Sequence, residues 1–533
     1  MRSFEKSLAL ALGLMAIPRV AAAADPAPIV LDGDVPLDGP EHFFVPFDVP
    51  EGIEEIEVRH DDQSEANILD FGLNDPDGYR GWGGGTEEPA IVGRLAASRA
   101  YVRGPIRAGA WKVVVGKAKV VTSPARYHLE IVLRTAATLP EQRQRTPYAP
   151  PPPRPGRRYY AGDFHVHSLE STDAIPSLDE IATYAESRQL DFVEISDHNT
   201  VTQFEFFADA QSRHPNLLFV PGIEYTTYHG HANAIGATRW VDHKLGQPGV
   251  TIDGAAEAIR AQGALFSINH PVLDLGNACI GCAWKLEVDP NRVSAVEIET
   301  GGLKQSGFIF IEKALAFWDD LCAKGHHVAA LGGSDSHRAG NTNGPTSSPI
   351  AEPTTMVLAD ALSTEAILEG IRNGRTVVKL QSPADPMIEL TSSVEPSGDT
   401  VRARSTILSA KITGAAGKNA TVYFVKNGEP EAAVPVTSDP FVHEARVTAE
   451  AGESRWRVEV RVDDQRSTIT SHLFVQRDPN GPDPLAPPPS SSSGSVSNDG
   501  GCHSGKVARS SAWAWCLAAA GAIALFTRRR RSH

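Results

Sequence analysis

The sequence has few cysteines and no excess of positive charge. Its 533 residues include five cysteines, too few for a fold that depends on a disulfide scaffold. The formal net charge is −15 at pH 7, which argues against a nucleic-acid-binding surface. No Ser-His-Asp arrangement and no glycine-rich phosphate loop stands out. What is present is ordinary globular material, 41% hydrophobic and 22% charged, in a chain long enough for two to four domains.

The first 24 residues have the pattern of an export signal. Arg2 and Lys6 flank the start of an apolar run over residues 7–17, and the small residues Ala21–Ala24 follow it. A positive start, a short apolar core and small residues are the three parts of a secretory signal peptide. A buried N-terminal helix is the alternative, and the shortness of the run favours the signal.

The C-terminal end has the pattern of a surface anchor. Residues 478–504 are rich in Pro, Ser and Gly and predict a flexible stalk. Residues 505–533 predict a transmembrane sorting segment, because the apolar stretch 511–526 is followed by arginines 528–531. Together with Cys502 they resemble the tripartite sorting signal called MYXO-CTERM, which implies processing near Cys502. A plain C-terminal anchor is the alternative.

These two ends predict where the protein is found and what handles it. We expect an exported protein at the cell surface or in the periplasm, anchored through its C-terminus before any processing. The membrane and the sorting and processing machinery are therefore expected partners. In such a compartment the CxxC motif of Cys279 and Cys282 favours a local disulfide over a metal site, because no second CxxC accompanies it.

Between the two ends the hydrophobic pattern changes three times. Residues 27–135 alternate in short runs and predict an all-β sandwich, a spacer or a carbohydrate-binding module, with the spacer favoured. Residues 136–158 form a Pro-rich linker. Residues 159–380 alternate strands with amphipathic helices, with strands predicted over 163–167 and 217–225 among others, and with a capping box at 177–180 that opens the first helix. Residues 381–477 predict a second all-β sandwich.

Side chains with metal-binding chemistry stand at the ends of predicted strands within residues 159–380. His165 and His167 are two residues apart, so on a strand both imidazoles point to one side. In a βα barrel the carboxyl ends of the strands converge on one mouth, which brings such groups together. Imidazole and carboxylate are ligands of zinc, iron and manganese. The candidates are His165, His167, His198, Glu224, His231, His270, Asp335 and His337.

The same residues form an ordered set of short motifs. The motifs are HxH at 165–167, SDH at 196–198, GxE at 222–224, a His before an apolar-x-Gly pattern at 231, NHP at 269–271 and SDxH at 334–337. In that order they resemble the polymerase and histidinol phosphatase (PHP) superfamily of metal-dependent hydrolases, over residues 159–380. The segments GDFHVHS and GGSDSH are most similar to its carbaryl-hydrolase-like branch. The resemblance implies an α/β fold, a distorted (β/α)7 barrel flanked here by the two all-β sandwiches.

The resemblance also implies two or three divalent metal ions, with zinc, manganese or iron as candidates. Carried over motif by motif, one ion is held by His165, His167, Glu224 and Asp335. Glu224 bridges to a second ion held by His231 and His270, and a third ion is held by Asp173, His198 and His337.

Some positions stay open at this point. Asp173 fits the family pattern only loosely. His229 competes with His231, and His231 is favoured because it directly precedes the apolar strand. Glu297 and Glu299 lie on one face of a strand that ends near the mouth, and structural pairing is favoured for them.

The expected mechanism follows from charge. Two neighbouring cations lower the pKa of a bridging water, which gives a hydroxide nucleophile at neutral pH. Asp335 or Asp197 would orient that nucleophile or handle its proton, although Asp197 fits equally well a role fixing a ligand imidazole. His198 or His337 would protonate the leaving group if the third site is empty. Arg338 would clamp a phosphate or carboxylate, or else face solvent.

The sequence therefore predicts an exported metal-dependent hydrolase, with a phosphoesterase favoured. A small-molecule ester or phosphoester is the expected substrate, and no nucleic acid is expected. A carboxyl- or carbamate-ester hydrolase, a non-catalytic surface-binding protein and, less favoured by the charge, a nuclease are the alternatives.

Overall fold

The computed structural model describes residues 25–276, 279–301, 303–341 and 348–486, with the side chains of 303–309 omitted. The predicted signal peptide, the stalk from residue 487 onward and the predicted C-terminal sorting segment lie outside the described residues. Among the described residues, no helix combines the length and apolarity that a membrane span requires.

The N-terminal region consists of two four-stranded antiparallel sheets. Its strands are β1 (Ile29–Asp34), β2 (His42–Val49), β3 (Glu55–Asp61), β4 (Ile68–Asp75), β5 (Gly78–Gly84), β6 (Ala90–Gly93), β7 (Gly109–Lys119) and β8 (Arg126–Arg134). One sheet has the order β1-β8-β3-β6 and the other β2-β7-β4-β5. In β2, Val45, Phe47 and Val49 are buried while Pro46 and Asp48 are exposed, so the period of two places one apolar face between the sheets.

Residues 154–379 contain ten strands and the five α-helices of the described residues. In chain order they are β9 (Arg154–Asp163), α1 (Leu178–Ser187), β10 (Phe192–Ile195), α2 (Phe204–Arg213), β11 (Leu218–Pro221), β12 (Glu224–Thr227), β13 (Gly230–Ile235), α3 (Ile252–Arg260), β14 (Leu265–Ile268), β15 (Ala295–Thr300), α4 (Leu303–Ala323), β16 (Ala329–Gly333), β17 (Thr354–Leu362), α5 (Thr364–Arg372) and β18 (Thr376–Lys379). The alternation of strands and helices predicted for this region is present, and the capping box at Ser177 opens α1 as predicted.

The strands of this region form two sheets rather than one closed ring. One runs β11-β10-β9-β17-β18 and the other β12-β13-β14-β15-β16. Isolated bridges between Val166 and Ser336, and between His198 and Glu224, join the two sheets. The hydrogen bonds between strands of the described residues do not form a closed (β/α)7 barrel. The predicted barrel therefore stays a prediction. The described fold is a β-rich α/β domain with two sheets that meet at the candidate ligands.

Two predicted strands differ from the observed ones in ways that matter for the site. The strand predicted over 163–167 ends at Asp163, so His165 and His167 lie beyond it. The strand predicted over 217–225 is broken into β11 and β12. Gly222 marks the break, since a Cβ there would lie 2.0 Å from Oε1 of Glu194. His165 and His167 therefore lie on the turn after β9, whereas Glu224 begins β12 and His231 lies in β13.

The C-terminal region shares a sheet with the domain before it. Its strands are β19 (Met387–Ser392), β20 (Thr400–Ala403), β21 (Ser405–Thr413), β22 (Ala420–Lys426), β23 (Glu429–Pro430), β24 (Val434–Pro435), β25 (Phe441–Thr448), β26 (Glu453–Val462), β27 (Gln465–Thr470) and β28 (Leu473–Arg477). Strands β19, β21 and β25 form a separate three-stranded sheet, whereas β27 pairs antiparallel with β18. The boundary predicted near residue 380 therefore lies within one continuous sheet.

Candidate metal centre

Eight of the predicted ligand side chains gather around the ninth, the carboxylate of Glu224, which is the first residue of β12. The atoms that face its Oε1 are Nε2 of His165 at 3.3 Å, Nδ1 of His231 at 3.2 Å and Nε2 of His270 at 3.4 Å. Those that face its Oε2 are Nε2 of His167 at 3.5 Å and Nδ1 of His198 at 2.8 Å. Five imidazoles from separate turns and strands thus share one buried carboxylate.

Asp335 completes the first group of ligands. Its Oδ1 lies 3.3 Å from Nε2 of His165 and 3.2 Å from Nε2 of His167. The backbone of Asp335 has φ +52°, a left-handed conformation that is uncommon outside glycine. His270 also has a positive φ, +26°. Such backbone strain persists where the surroundings fix a residue, and here it aims both side chains at the centre.

The donor atoms fit a metal ion better than they fit one another. Nε2 of His165 and Nε2 of His167 are fully buried, and neither makes a hydrogen bond within the described part of the chain. Nε2 of His165 lies 3.3 Å from Oε1 of Glu224, and Nε2 of His167 lies 3.5 Å from its Oε2. Both distances match the separation of about 3.4 Å between two ligands of one tetrahedral ion with bonds near 2.1 Å. Buried polar atoms without partners are costly, so a cation among them supplies the missing interaction.

The second group consists of His231 and His270 with Oε1 of Glu224. The ring nitrogens that point away from Glu224 lie close to backbone carbonyl oxygens. Nε2 of His231 is 3.3 Å from the carbonyl oxygen of Ile280, and Nδ1 of His270 is 3.1 Å from that of Cys282. A carbonyl fixes the orientation of a ligand imidazole by accepting its N–H.

The structure separates His231 from its competitor His229. Nδ1 of His231 faces Glu224, and the side chain is 5% exposed. The side chain of His229 is 50% exposed and pairs with Glu41 of the N-terminal region at 2.6 Å. The geometry therefore places His231, and not His229, among the candidate ligands.

The third group lies on the open side of the centre. Oδ2 of Asp173 is 3.2 Å from Nε2 of His198 and 3.3 Å from Nε2 of His337. The imidazole of His337 also stacks on that of His167, with 4.1 Å between ring centroids. Asp173 fits the family motif only loosely, yet its carboxylate reaches both imidazoles of the predicted third site.

Two predicted catalytic residues lie apart from this cluster. The buried carboxylate of Asp197 accepts hydrogen bonds from the backbone N–H and the hydroxyl of Ser168, both at 2.6 Å. Burial raises the pKa of Asp197 to about 7. These bonds anchor the turn that follows His167, and the roles predicted for Asp197 stay predictions. Arg338 is exposed at the edge of the site, and the clamp predicted for it stays a prediction.

Several polar side chains around the ligands were missed or undervalued by sequence analysis. Oε1 of Glu297 lies 3.2 Å from Nδ1 of His165, and its Oε2 accepts the backbone N–H of His270 at 2.7 Å. Glu297 thus orients a ligand, which corrects the preference for structural pairing. Nδ2 of Asn269 donates to Oε1 of Glu224 at 3.0 Å and to Oδ1 of Asn233 at 2.8 Å. Both asparagines stand inside quoted motifs, and that was the available signal.

The electrostatics keep the central carboxylates ionised. Burial raises the pKa of Glu224, but the adjacent imidazoles of His165, His198 and His231 outweigh burial and hold this pKa well below its usual range. The pKa of Asp335 is likewise lowered, against the effect of burial, by the imidazoles that face it. The same ion pairs raise the pKa of His165 and of His198, against the effect of burial. A divalent ion would therefore bind in place of the protons that these imidazoles share with the carboxylates.

The Cys279–Cys282 disulfide is present and lies directly behind the second group. The turn that it closes carries the carbonyls of Ile280 and Cys282, which hold His231 and His270. We expect the double variant Cys279→Ser/Cys282→Ser to bind one ion about 10–100-fold more weakly, since partners that orient ligands have effects of that size. Titration with Mn²⁺ during equilibrium dialysis measures this affinity.

Reductant supplies the control for this prediction. Treatment with a phosphine reductant should weaken the same ion in the unaltered protein and leave the double variant unchanged. Equal Mn²⁺ affinity in the oxidised protein and in the variant would show that the disulfide does not hold the second group.

No family model and no curated protein matches the chain. Among solved structures, the chain is similar to a two-domain protein of Bacteroides vulgatus ATCC 8482 that contains a predicted PHP-like metal-dependent phosphoesterase. The two are 18% identical with a TM-score of 0.35, and the match covers 62% of this chain and 100% of that one. It is also similar to a protein of Bifidobacterium adolescentis ATCC 15703 named as a metal-dependent phosphoesterase, at 13% identity, a TM-score of 0.25, and coverage of 34% and 90%. Function is therefore inferred from the side chains of the metal centre.

Proposed function

We propose that the protein is an exported metal-dependent phosphoesterase of the PHP superfamily. The observation that carries this proposal is the sharing of Glu224 by five imidazoles, four of them buried, with Asp335 and Asp173 facing the same space. That donor set suits two or three adjacent divalent ions. When bound, such ions lower the pKa of water and neutralise charge that develops on a phosphoryl or acyl oxygen.

Charge balance favours a phosphate monoester as substrate. Four carboxylates contribute to the centre, namely Asp173, Glu224, Glu297 and Asp335. Three divalent ions contribute +6, so with neutral imidazoles the balance is +6 − 4 = +2. A phosphate monoester carries about −1.5 to −2 at pH 7, which complements this charge. Two ions would give +4 − 4 = 0, a balance that suits a neutral carboxyl or carbamate ester.

The protein's own residues have distinct tasks in this reaction. Asp335 presents Oδ1 to His165 and His167, and a quarter of its side chain is exposed toward the mouth. We assign it to orient the attacking water by accepting a hydrogen bond from it. Glu297 and Asn269 keep His165 and Glu224 in place, so that the donors do not have to reorganise during the reaction.

Export supports a role outside the cytoplasm. The first 24 residues have the signal-peptide pattern, and the Cys279–Cys282 disulfide is typical of oxidising compartments. We propose that the C-terminal segment anchors the protein at the cell surface or in the periplasm.

A substrate panel tests the proposed function on the full chain purified without chelator. The substrates are para-nitrophenyl phosphate, bis(para-nitrophenyl) phosphate and para-nitrophenyl acetate, and metal content is measured in the same samples. We expect about three ions per chain and a kcat/KM for the monoester at least about tenfold above that for acetate, or about 1.4 kcal/mol in activation free energy. Asp360→Asn, an exposed carboxylate paired with Arg157, is the matched control.

Each other outcome contradicts the proposal in its own way. Preferred turnover of acetate would identify a carboxyl-ester hydrolase. Bound metal without turnover of any substrate would favour the non-catalytic binding protein, and less than one ion per chain would remove the multinuclear centre altogether.

A further inference from the structure

The loop that carries Asp173, residues 168–176, is in contact with the N-terminal sandwich. The side chain of Asp173 is 53% exposed, and its carboxylate contacts the imidazoles of His198 and His337 and accepts a hydrogen bond from the Ser171 hydroxyl at 2.9 Å. Ser171 belongs to the same loop, so it moves with Asp173. The position of Asp173 depends on the loop backbone, and the N-terminal sandwich supplies several of the bonds that hold this backbone.

Arg99, between β6 and β7, makes the densest of these contacts. Its Nε and Nη2 donate to the Glu88 carboxylate, each at 2.8 Å. Its remaining N–H groups donate to three backbone carbonyls of the loop. Nη2 donates to the carbonyl of Thr172 at 2.7 Å, and Nη1 donates to the carbonyls of Ala174 at 3.0 Å and Leu169 at 3.4 Å. A guanidinium has five N–H groups, and these five contacts use all of them. Thr172 and Ala174 are the residues on either side of Asp173.

Further bonds from the same sandwich reinforce this contact. The Thr172 hydroxyl donates to the carbonyl of Gly83 at 2.7 Å, and the backbone N–H of Ala100 donates to Oε2 of Glu170 at 3.2 Å. The Tyr79 hydroxyl donates to the carbonyl of Asn199 at 2.9 Å. Asn199 follows His198, so the N-terminal region contacts the backbone beside two of the three ligands in the third group.

We propose that the N-terminal sandwich is a working part of the metal centre, and that Arg99 is a positioning residue for Asp173. Through Asp173 it sets the affinity of the ion that Asp173, His198 and His337 would hold. This inference rests on the metal centre of the proposed function. It replaces the interpretation of the sandwich as a spacer, because a spacer has no reason to bond the backbone on both sides of a ligand.

The geometry of the contact explains why arginine is needed. The planar fork presents its donors in fixed directions, and Glu88 holds the fork in place from the other side. A lysine keeps the charge, but its ammonium has three donors and no fork. A lysine at position 99 cannot bond Glu88 and all three carbonyls at once, so the backbone of residues 168–176 becomes more mobile. The positive charge opposite Glu88 is kept.

The test compares Arg99→Lys with Arg94→Lys in the full chain. Arg94 lies in the same sandwich, is 57% exposed and pairs with Glu54, so it is the matched control. Co²⁺ is titrated into the metal-free protein, and binding is followed by visible absorption and by equilibrium dialysis. In Arg99→Lys we expect one Co²⁺ to bind about 10–100-fold more weakly, with the other ions and the thermal midpoint unchanged. Arg94→Lys should bind as the unaltered protein does.

Asp173→Asn separates positioning from a general structural role. It should weaken the same Co²⁺ ion, and the double variant Arg99→Lys/Asp173→Asn should be no weaker than Asp173→Asn alone, because both changes act on one ligand. Unaltered Co²⁺ binding in either single variant overturns the proposal. So does a uniform weakening of all ions in Arg99→Lys, or a fully additive double variant. These readouts need no turnover, so they stand apart from a failure of the phosphoesterase assignment.

Discussion

Replacing Glu224 by glutamine is expected to remove at least two metal ions per chain and to lower kcat/KM for para-nitrophenyl phosphate by about 10³-fold or more. Such a loss corresponds to about 4 kcal/mol of transition-state stabilisation. Glutamine keeps the size of the side chain but removes the charge. Five imidazoles contact this one carboxylate, so the loss is shared between all three groups of ligands. Elemental analysis and initial rates measure the two effects.

The control for this variant is Glu389→Gln. Glu389 is 39% exposed and pairs with Lys411 on the surface of the C-terminal region, where an ion pair contributes little to stability. It should keep full metal content and turnover. Metal content near that of the unaltered protein in Glu224→Gln would show that Glu224 is not the shared ligand.

Replacing Asp335 by asparagine is expected to abolish hydrolysis of aryl phosphates and aryl esters while the fold stays intact. The carboxylate faces His165 and His167 and is the group assigned to orient the attacking water. Asparagine is the suitable substitute because residue 335 has φ +52°, a conformation that asparagine tolerates better than most side chains. A fall in kcat of at least about 10³-fold is expected, against an unchanged circular dichroism spectrum.

Asp463→Asn is a control at a position with the same left-handed backbone conformation. Asp463 has φ +51° and lies exposed between β26 and β27. Normal turnover in this variant, together with lost turnover in Asp335→Asn, would exclude backbone strain as the cause. Unchanged turnover in Asp335→Asn would falsify the role assigned to Asp335.

Much of the fold could be predicted because each element leaves a local pattern. The alternation in β2 and the capping box at Ser177 are both visible within ten residues of sequence. The pairing of β18 with β27 was not predictable, since Val377 and Thr470 pair through backbone groups that are the same in every residue. The division of the α/β region into two sheets escaped prediction for the same reason.

The candidate metal centre was also predictable in part. Its ligands stand in short motifs, so the residue types and their order were evident from the sequence. The position of Asp197 was not, because a carboxylate beside a ligand histidine can face the ion or the neighbouring turn. Only packing shows that it bonds Ser168. Burial likewise distinguishes His231 from His229, which the sequence pattern placed on the same side of one strand.

The sequence by itself determined the chemistry of this protein: a set of imidazoles and carboxylates at the ends of strands, between two ends that predict export. The tertiary structure decided how these groups relate, with Glu224 shared by five imidazoles and with Glu297 orienting His165. It also decided what holds Asp173. Arg99 bonds the carbonyl of Thr172, 73 residues away, and no local pattern marks such a contact. Side-chain chemistry is encoded residue by residue, whereas the meeting of distant loops depends on the packing of whole domains.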